Sequence, residues 1–398
     1  MAEHGLYNIL MYSHDTYGLG HIRRTMSIAG HLRAADVNVL ILTGSPIAGR
    51  FSFPENVDFV RIPGMIKKTN DEYQSLSIRI DPDHALNIRK SIILATARTF
   101  QPDLFIVDKE PLGLKREVLP TLQWLKENSP ATRTVLGLRD IMDDRDTVCR
   151  DWRHKDVYRH LQELYSEIWI YGRQDIYDAV HEYDIPEQVQ GKIYFTGYLP
   201  RRGVPATVAA KTRENFCVRT GERLIVITTG GGGDGFKMMD VYLALFEADR
   251  LERVRSVLIT GPFMPIEQRR ELAERARPLG IKVRPFYPRM EELFGAADLV
   301  VSMGGYNTVC EILSQGTVSL IIPRDQPRQE QLLRAQALKA RGLIDCIPWK
   351  ALDVRGLRTK IIAMLDNLDQ YRLPMQGFSL DGIDMIQERL EKFREGRT

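Results

Sequence analysis

The chain predicts an α/β protein made of two doubly wound parallel sheets. Short apolar runs of strand length alternate with amphipathic runs of helix length, the signature of a parallel sheet with covering helices. The alternation lapses over residues 197–205, GYLPRRGVP, and then restarts. Several apolar runs also end in glycine turns that open a helix, as ligand-binding strand ends do.

Composition sets the outer limits. The chain has 398 residues, of which 43% are hydrophobic and 27% charged, enough for two full cores. Its net charge of +3 comes from interleaved acids and bases, which argues against a nucleic-acid partner. Cys149, Cys217, Cys310 and Cys346 are far apart and make no metal or CxxC spacing, so reduced thiols and a cytoplasmic setting are expected. The start, MAEHGLYNIL, has no basic segment or long apolar core, and no later run reaches spanning length; neither a signal peptide nor a membrane span is expected.

In chain order, strands are expected at 7–12, 37–42, 57–62, 104–108, 133–138, 167–171 and 192–196, with a polar loop over 64–81 and a helix over 85–100. After 197–205, read as a linker for its two prolines and two glycines, strands are expected at 224–228, 256–260, 282–286, 299–301 and 318–322. Helices fall between them and at 354–365 and 382–393. The domains expected are 1–198, 206–374 and a C-terminal helix, 375–398, that packs back on the first domain.

The densest signal lies between Asp298 and Ala335. An apolar strand breaks at Gly304-Gly305 and resumes as a helix near Asn307; Gly316 stops it and 318–322 reads as the next strand. Free N–H groups at the helix start, near Asn307 and Thr308, suit an anion, and the glycines admit a ligand to the backbone. Glu311, one turn deeper on the same face, could accept hydrogen bonds from sugar hydroxyls.

Two further loops stand at strand ends. Gly18-Leu19-Gly20-His21-Ile22-Arg23-Arg24 has arginine where a dinucleotide fingerprint needs its third glycine, which disfavours a nicotinamide site. At a helix start the dipole disfavours imidazolium, leaving His21 neutral and able to take a proton; the competing reading is a capping loop with an incidental histidine. The loop 228–235, TTGGGGDG, fails as an ATP loop because Phe236 separates Gly235 from Lys237. Four glycines, Gly230, Gly231, Gly232 and Gly233, are costly to order, which close passage of a diphosphate would explain; a plain flexible turn is the alternative. Asp234 would have to point away from the phosphates or meet a hydroxyl.

The remaining polar clusters divide more evenly. Asp108, Glu110 and Arg139 end strands and could orient His21 or bind an acceptor, with a structural role the alternative. The acidic loop 143–146 reads as solvated rather than as a metal site. The stretch 84–98 is amphipathic with Arg89, Lys90 and Arg98, and reads as a covering helix in preference to a membrane-surface element. Arg324, Arg328 and Arg334 flank the helix start and would strengthen a field for anions.

GGYNTVCE at 304–311, with Gly316, Pro323 and a Gln-containing helix start, resembles the donor-nucleotide site of GT-B glycosyltransferases, nearest to glycosyltransferase family 28. The resemblance implies two Rossmann-like domains facing across a cleft. It implies that Glu311 binds a ribose, that the glycine-turn helix faces a diphosphate, and that Glu330-Gln331 approach the donor sugar, where the family has Gln-Gln or His-Gln. The family's asparagine three residues on is Arg334 here. The segment 18–24 is similar to the Gly-Gly-His segment of that family, which makes His21 the candidate base and places Gly18, Gly20 and Arg24 at phosphate or acceptor. By resemblance the protein is a metal-independent, inverting hexosyltransferase with a nucleotide-sugar donor, UDP-linked first among the candidates, and no further cofactor. The acceptor is unidentified; lipid-linked acceptors in some relatives imply peripheral membrane contact. A nucleotide-sugar hydrolase, an epimerase and a non-catalytic nucleotide-sugar sensor stay open.

Overall fold

Apolar runs with no polar face become central strands, because both faces of a parallel sheet are covered by helices. The computed structural model describes residues 6–15, 20–67 and 73–396. Two compact units result: one comprises residues up to Asp140, Arg145–Gly197 and Asp381 onward, the other Ile141–Asp144 and Tyr198–Leu380.

The first unit holds β1 (Tyr7–Ser13), β2 (Val37–Thr43), β3 (Val57–Arg61), the hairpin strands β4 (Met65–Lys67) and β5 (Tyr73–Ser75), then β6 (Leu104–Asp108), β7 (Arg133–Arg139), β8 (Glu167–Tyr171) and β9 (Ile193–Phe195). Its main sheet runs β3-β2-β1-β6-β7-β8-β9, parallel throughout. The chain works outward from β1 in one direction and then from β6 in the other, so β1 and β6 flank the switch point where such sheets carry their ligands. His21 and Asp108 follow from those two strands. The C-terminal helix, Gly382–Glu395, closes this unit: Phe393 stacks on Trp169 with centroids 6.4 Å apart, and Arg389 pairs with Glu167 and covers the Tyr194 ring at 3.9 Å.

The second unit repeats the plan with β10 (Arg223–Thr228), β11 (Val254–Ile259), β12 (Lys282–Arg284), β13 (Leu299–Ser302), β14 (Ser319–Ile321) and β15 (Asp345–Cys346), in the order β12-β11-β10-β13-β14-β15. Its switch point lies between β10 and β13, the strands that lead into the glycine loop and into Gly304-Gly305.

Three expectations need correction. The polar loop expected over 64–81 contains the antiparallel β4–β5 pair, with Met65 opposite Ser75; strands of three residues are too short to show periodicity. Residues 199–205 are not a free linker. They cluster with the second unit, where Arg201 N–H donates to Ser314 Oγ at 2.8 Å and Val204 N–H to Gln315 Oε1 at 2.9 Å. Asp143 in the acidic loop is buried rather than solvated, and accepts from the Gln329 N–H at 2.8 Å.

Candidate functional site

Each unit carries a cluster at the carboxyl end of its sheet. In the first unit β1 ends at Ser13 and the next helix is Gly20–Leu32; Gly18, between them in the chain, lies outside the described residues. Gly20 opens the helix and His21 follows it. The His21 Nδ1 sits 2.7 Å from Asp108 Oδ2, at the end of β6. A carboxylate only accepts, so the shared proton is on Nδ1 and Nε2 keeps its lone pair. Arg24, one turn on, clamps the same carboxylate through Nε at 2.9 Å and Nη2 at 2.7 Å, both to Oδ1. With Nδ1 already protonated, the 3.1 Å approach of Arg24 Nη2 to it is a close contact between two donors.

Charge follows from this packing. Burial lowers the His21 pKa below its ordinary value; the hydrogen bond and charge of Asp108 oppose that, and Arg24 and Lys109 add to it. The imidazole is therefore neutral at neutral pH. Burial alone would raise the Asp108 carboxyl, but the Arg24 charge and then the His21 hydrogen bond hold it below the ordinary carboxylate range. The result is a fixed anion behind a neutral imidazole, 12% of whose side-chain surface remains open. That is the arrangement that stabilises an imidazolium once a proton is taken.

Two neighbours escaped the sequence reading. Asp15 Oδ1 accepts from the Ile22 N–H at 3.1 Å, satisfying one orphan donor at the helix start, and its Oδ2 accepts from Thr43 Oγ1 at 2.5 Å. Burial raises its carboxyl to about 6, against the hydrogen bond from Thr43. His14 meets the His21 ring edge-on, with centroids 5.8 Å apart. The signal for Asp15 was available, as an acidic residue ahead of a helix. Of the other candidates in this unit, Arg139 closes β7, half-buried, while Glu110 turns toward Lys155 at 3.7 Å and not toward His21.

In the second unit the Gly230–Gly233 loop and the start of helix Tyr306–Ser314 come together: a Cβ on Gly230 would lie 4.0 Å from Thr308 Oγ1. The glycines have distinct duties. Gly232, at φ 95°, packs where a Cβ would strike the Thr260 carbonyl at 2.2 Å, so it is needed for folding. Gly230, Gly231 and Gly233 are exposed. Gly304, at φ 75°, would meet Ile321 at 2.6 Å, whereas Gly305 opens on empty space in an ordinary extended conformation. Gly305 thus places no side chain over the start of this helix, the end whose backbone N–H groups and dipole suit an anion. Arg201 was missed because it lay in an apparent linker; its Nη2 donates to Asn307 Oδ1 at 3.4 Å, placing a cation at this helix start. Glu311 is buried at 5% exposure in the same helix.

The flanking arginines need reassignment. Arg334, 1% exposed, donates to the carbonyls of Gly304 at 3.2 Å and Ile141 at 3.3 Å, so it braces the turn from beneath and does not face an open anion site. Arg324 is neutralised by Asp234 and Glu330, each at 2.9 Å. Asp234 accordingly points at an arginine, and Glu330 is engaged at the head of its helix. The Gln331 side chain accepts from the Arg324 N–H at 3.3 Å. Phe286, half exposed and two residues beyond β12, offers an aromatic face at a strand end; the strand stops at Arg284, short of the 286 expected. Among the described residues no group of three or more His, Cys, Asp or Glu is placed to hold a metal, and no helix is long and apolar enough to cross a membrane.

Two Rossmann-like units with these sheet orders define the GT-B fold, and solved structures agree over nearly the whole chain. MurG from Acinetobacter baumannii superposes with a TM-score of 0.63 at 12% identity, covering 97% of this chain and 99% of that one. A UDP-glucosyltransferase from Polygonum tinctorium gives 0.67 at 12% identity, covering 98% and 99%. Within that fold the chain resembles glycosyltransferase family 28: residues 225–389 match the model of the glycosyltransferase family 28 C-terminal domain. The similar curated proteins include UDP-N-acetylglucosamine--N-acetylmuramyl-(pentapeptide) pyrophosphoryl-undecaprenol N-acetylglucosamine transferases. The one from Mannheimia succiniciproducens is 27% identical over 165 residues, 40% of this chain and 44% of that protein. The one from Agrobacterium fabrum is 25% identical over 201 residues, 49% and 53%. The chain spans about half the length of these relatives.

Proposed function

We propose that the protein is a metal-independent glycosyltransferase that moves a hexosyl unit from a nucleoside diphosphate sugar, UDP-linked by preference, to a hydroxyl acceptor. The observation that carries the reading is the His21–Asp108–Arg24 constellation: a neutral imidazole whose Nε2 keeps its lone pair, with a fixed anion behind it. A buried, oriented base with a fixed anion behind it is what proton transfer requires, which supports catalysis over passive binding. Nε2 takes the acceptor proton as the acceptor oxygen attacks the anomeric carbon. The bond from that carbon to the phosphate oxygen breaks, its electron pair leaves with the nucleoside diphosphate, and the configuration inverts. The positive end of the helix after Gly305, with Arg201, stabilises the departing negative charge, a role a metal plays in other enzymes. Glu311 receives the ribose hydroxyls, and Phe286 supplies a stacking face for the base.

The resemblance of residues 225–389 to family 28 and the donors named in its relatives support this assignment. The test is mass analysis of products after incubating the protein with UDP-sugars and a panel of glycoside and lipid-linked acceptors. Glycoside formed by the wild type and lost by about 10²-fold or more in His21→Ala supports the transferase. Free sugar released without acceptor would move the assignment to a hydrolase, and an altered sugar on intact nucleotide to an epimerase. Binding with no product, and no effect of His21→Ala, would leave a sensor. Peripheral membrane contact belongs to the same proposal only with a lipid-linked acceptor, and vesicle co-sedimentation measures it.

A further inference from the structure

Beside the proposed donor segments the second unit has a cavity of about 370 Å³, lined by Asp234, Arg324, Asp325, Gln326, Trp349 and Lys350. We propose that it is a subsite for a neutral carbohydrate ring, an inference that rests on the glycosyltransferase reading. The lining selects among ligand classes. Each cation is already matched: Arg324 by Asp234 at 2.9 Å and Lys350 by Asp325 at 3.3 Å. No surplus positive charge is left for a phosphate or carboxylate, and Glu330, also on Arg324, makes an anion still less welcome. An apolar ligand would strip water from four charged groups without replacing its hydrogen bonds. A polyol meets neither obstacle, because its hydroxyls both donate to carboxylates and accept from ammonium, guanidinium and amide groups.

The aromatic wall supplies the other half of sugar recognition, a flat face for the C–H side of a pyranose. Trp349 is held in place: Lys237 Nζ donates to its carbonyl at 3.2 Å and lies 5.5 Å from the ring centroid. The volume falls within the range of small-ligand pockets, about 300–1,000 Å³. Connectivity ties the cavity to the donor segments. Asp234 directly follows the four glycines, and Arg324 joins the cavity wall to Glu330 and, through its N–H, to Gln331. The same chemistry could come from the donor's own glycosyl unit or from a saccharide acceptor.

The experiment is a calorimetric titration of the full chain with UDP, GDP and TDP, with their glucose and N-acetylglucosamine derivatives, and with methyl glucosides and short oligosaccharides. It compares wild type, Trp349→Ala, Trp349→Phe and Glu311→Gln. If the donor's sugar occupies the cavity, Trp349→Ala leaves the free nucleotide's affinity unchanged and weakens the nucleotide sugar about tenfold, with most of the loss restored by Trp349→Phe. If an acceptor saccharide occupies it, the glycosides alone bind wild type and lose affinity in Trp349→Ala, with nucleotide sugars unaffected. Nucleotide sugars that bind, with neither they nor any glycoside changing in Trp349→Ala, overturn the subsite while the donor assignment stands. A protein that binds glycosides through Trp349 and no nucleotide in any form retains the subsite and refutes the donor assignment. Binding of neither class overturns both.

Discussion

The Asp108 carboxylate decides what His21 can do. It fixes the imidazole tautomer and stands ready to stabilise the charge that proton transfer creates, while Arg24 keeps it ionised. Asp108→Asn therefore lowers kcat by about 10²- to 10⁴-fold with little change in nucleotide affinity, measured by initial rates beside calorimetry. Because burial lowers the His21 pKa, the acid limb of the kcat/KM profile lies below the pH at which an ordinary histidine protonates. Asp15 gives a stability signature of opposite hand. Its carboxyl is raised from 3.8 to about 6, so the native state binds the proton more tightly than the unfolded chain. The Asp15 contribution to stability is thus lost as pH rises from about 4 to 6, by about 2–3 kcal/mol, while His21, buried neutral, contributes in the opposite direction over the same window. Asp15→Asn removes that contribution, so stability in urea melts rises more steeply with pH across the window than in the wild type, and an unchanged profile would show that Asp15 does not contribute.

At the scale of the element, strand–turn–helix units separate folding from binding, and glycine substitutions read the two apart. Gly304→Ala forces a Cβ into Ile321 from a left-handed backbone and costs about 1–3 kcal/mol, visible as a lower Tm. Gly305→Ala has open space and an ordinary φ, so it leaves Tm unchanged and weakens nucleotide binding by placing a methyl over the helix N–H groups. In the first unit the buried Arg89–Glu117 pair, with Tyr12 donating to the same carboxylate at 2.6 Å, holds helix Pro82–Phe100 against the loop after β6. Arg89→Ala leaves that buried carboxylate without its counter-charge and lowers unfolding free energy by about 3–5 kcal/mol, measured by denaturant titration. Much of this was legible in the sequence, because buried parallel strands are continuous apolar runs and glycine turns announce their helices. What was not legible were contacts between residues far apart in the chain. Asp143 reaches Gln329, Arg334 reaches Gly304, and Arg201 joins a helix that begins more than a hundred residues later. Local patterns read Asp143 as solvated, Arg201 as part of a linker and Arg334 as part of a field for anions, and only tertiary packing supplies their partners.

Across the whole molecule two copies of one architecture carry different chemistry. The first unit offers an oriented base, and the second an anion-ready helix start with a buried carboxylate one turn below it. A fold this widely shared does not specify a reaction, so the functional reading rests on those residues. The sequence exposed His21, Glu311 and the glycines because each sits within a few residues of a strand end. It concealed Arg201 and the Trp349 cavity, whose partners are assembled by the fold. The donor site is the claim on which the rest depends, and calorimetry with UDP and its sugars on wild type, His21→Ala and Glu311→Gln tests it most directly. Nucleotide binding that survives His21→Ala and is lost by at least about tenfold in Glu311→Gln is the expected result. Binding that is indifferent to Glu311, or absent for every nucleotide, would contradict it.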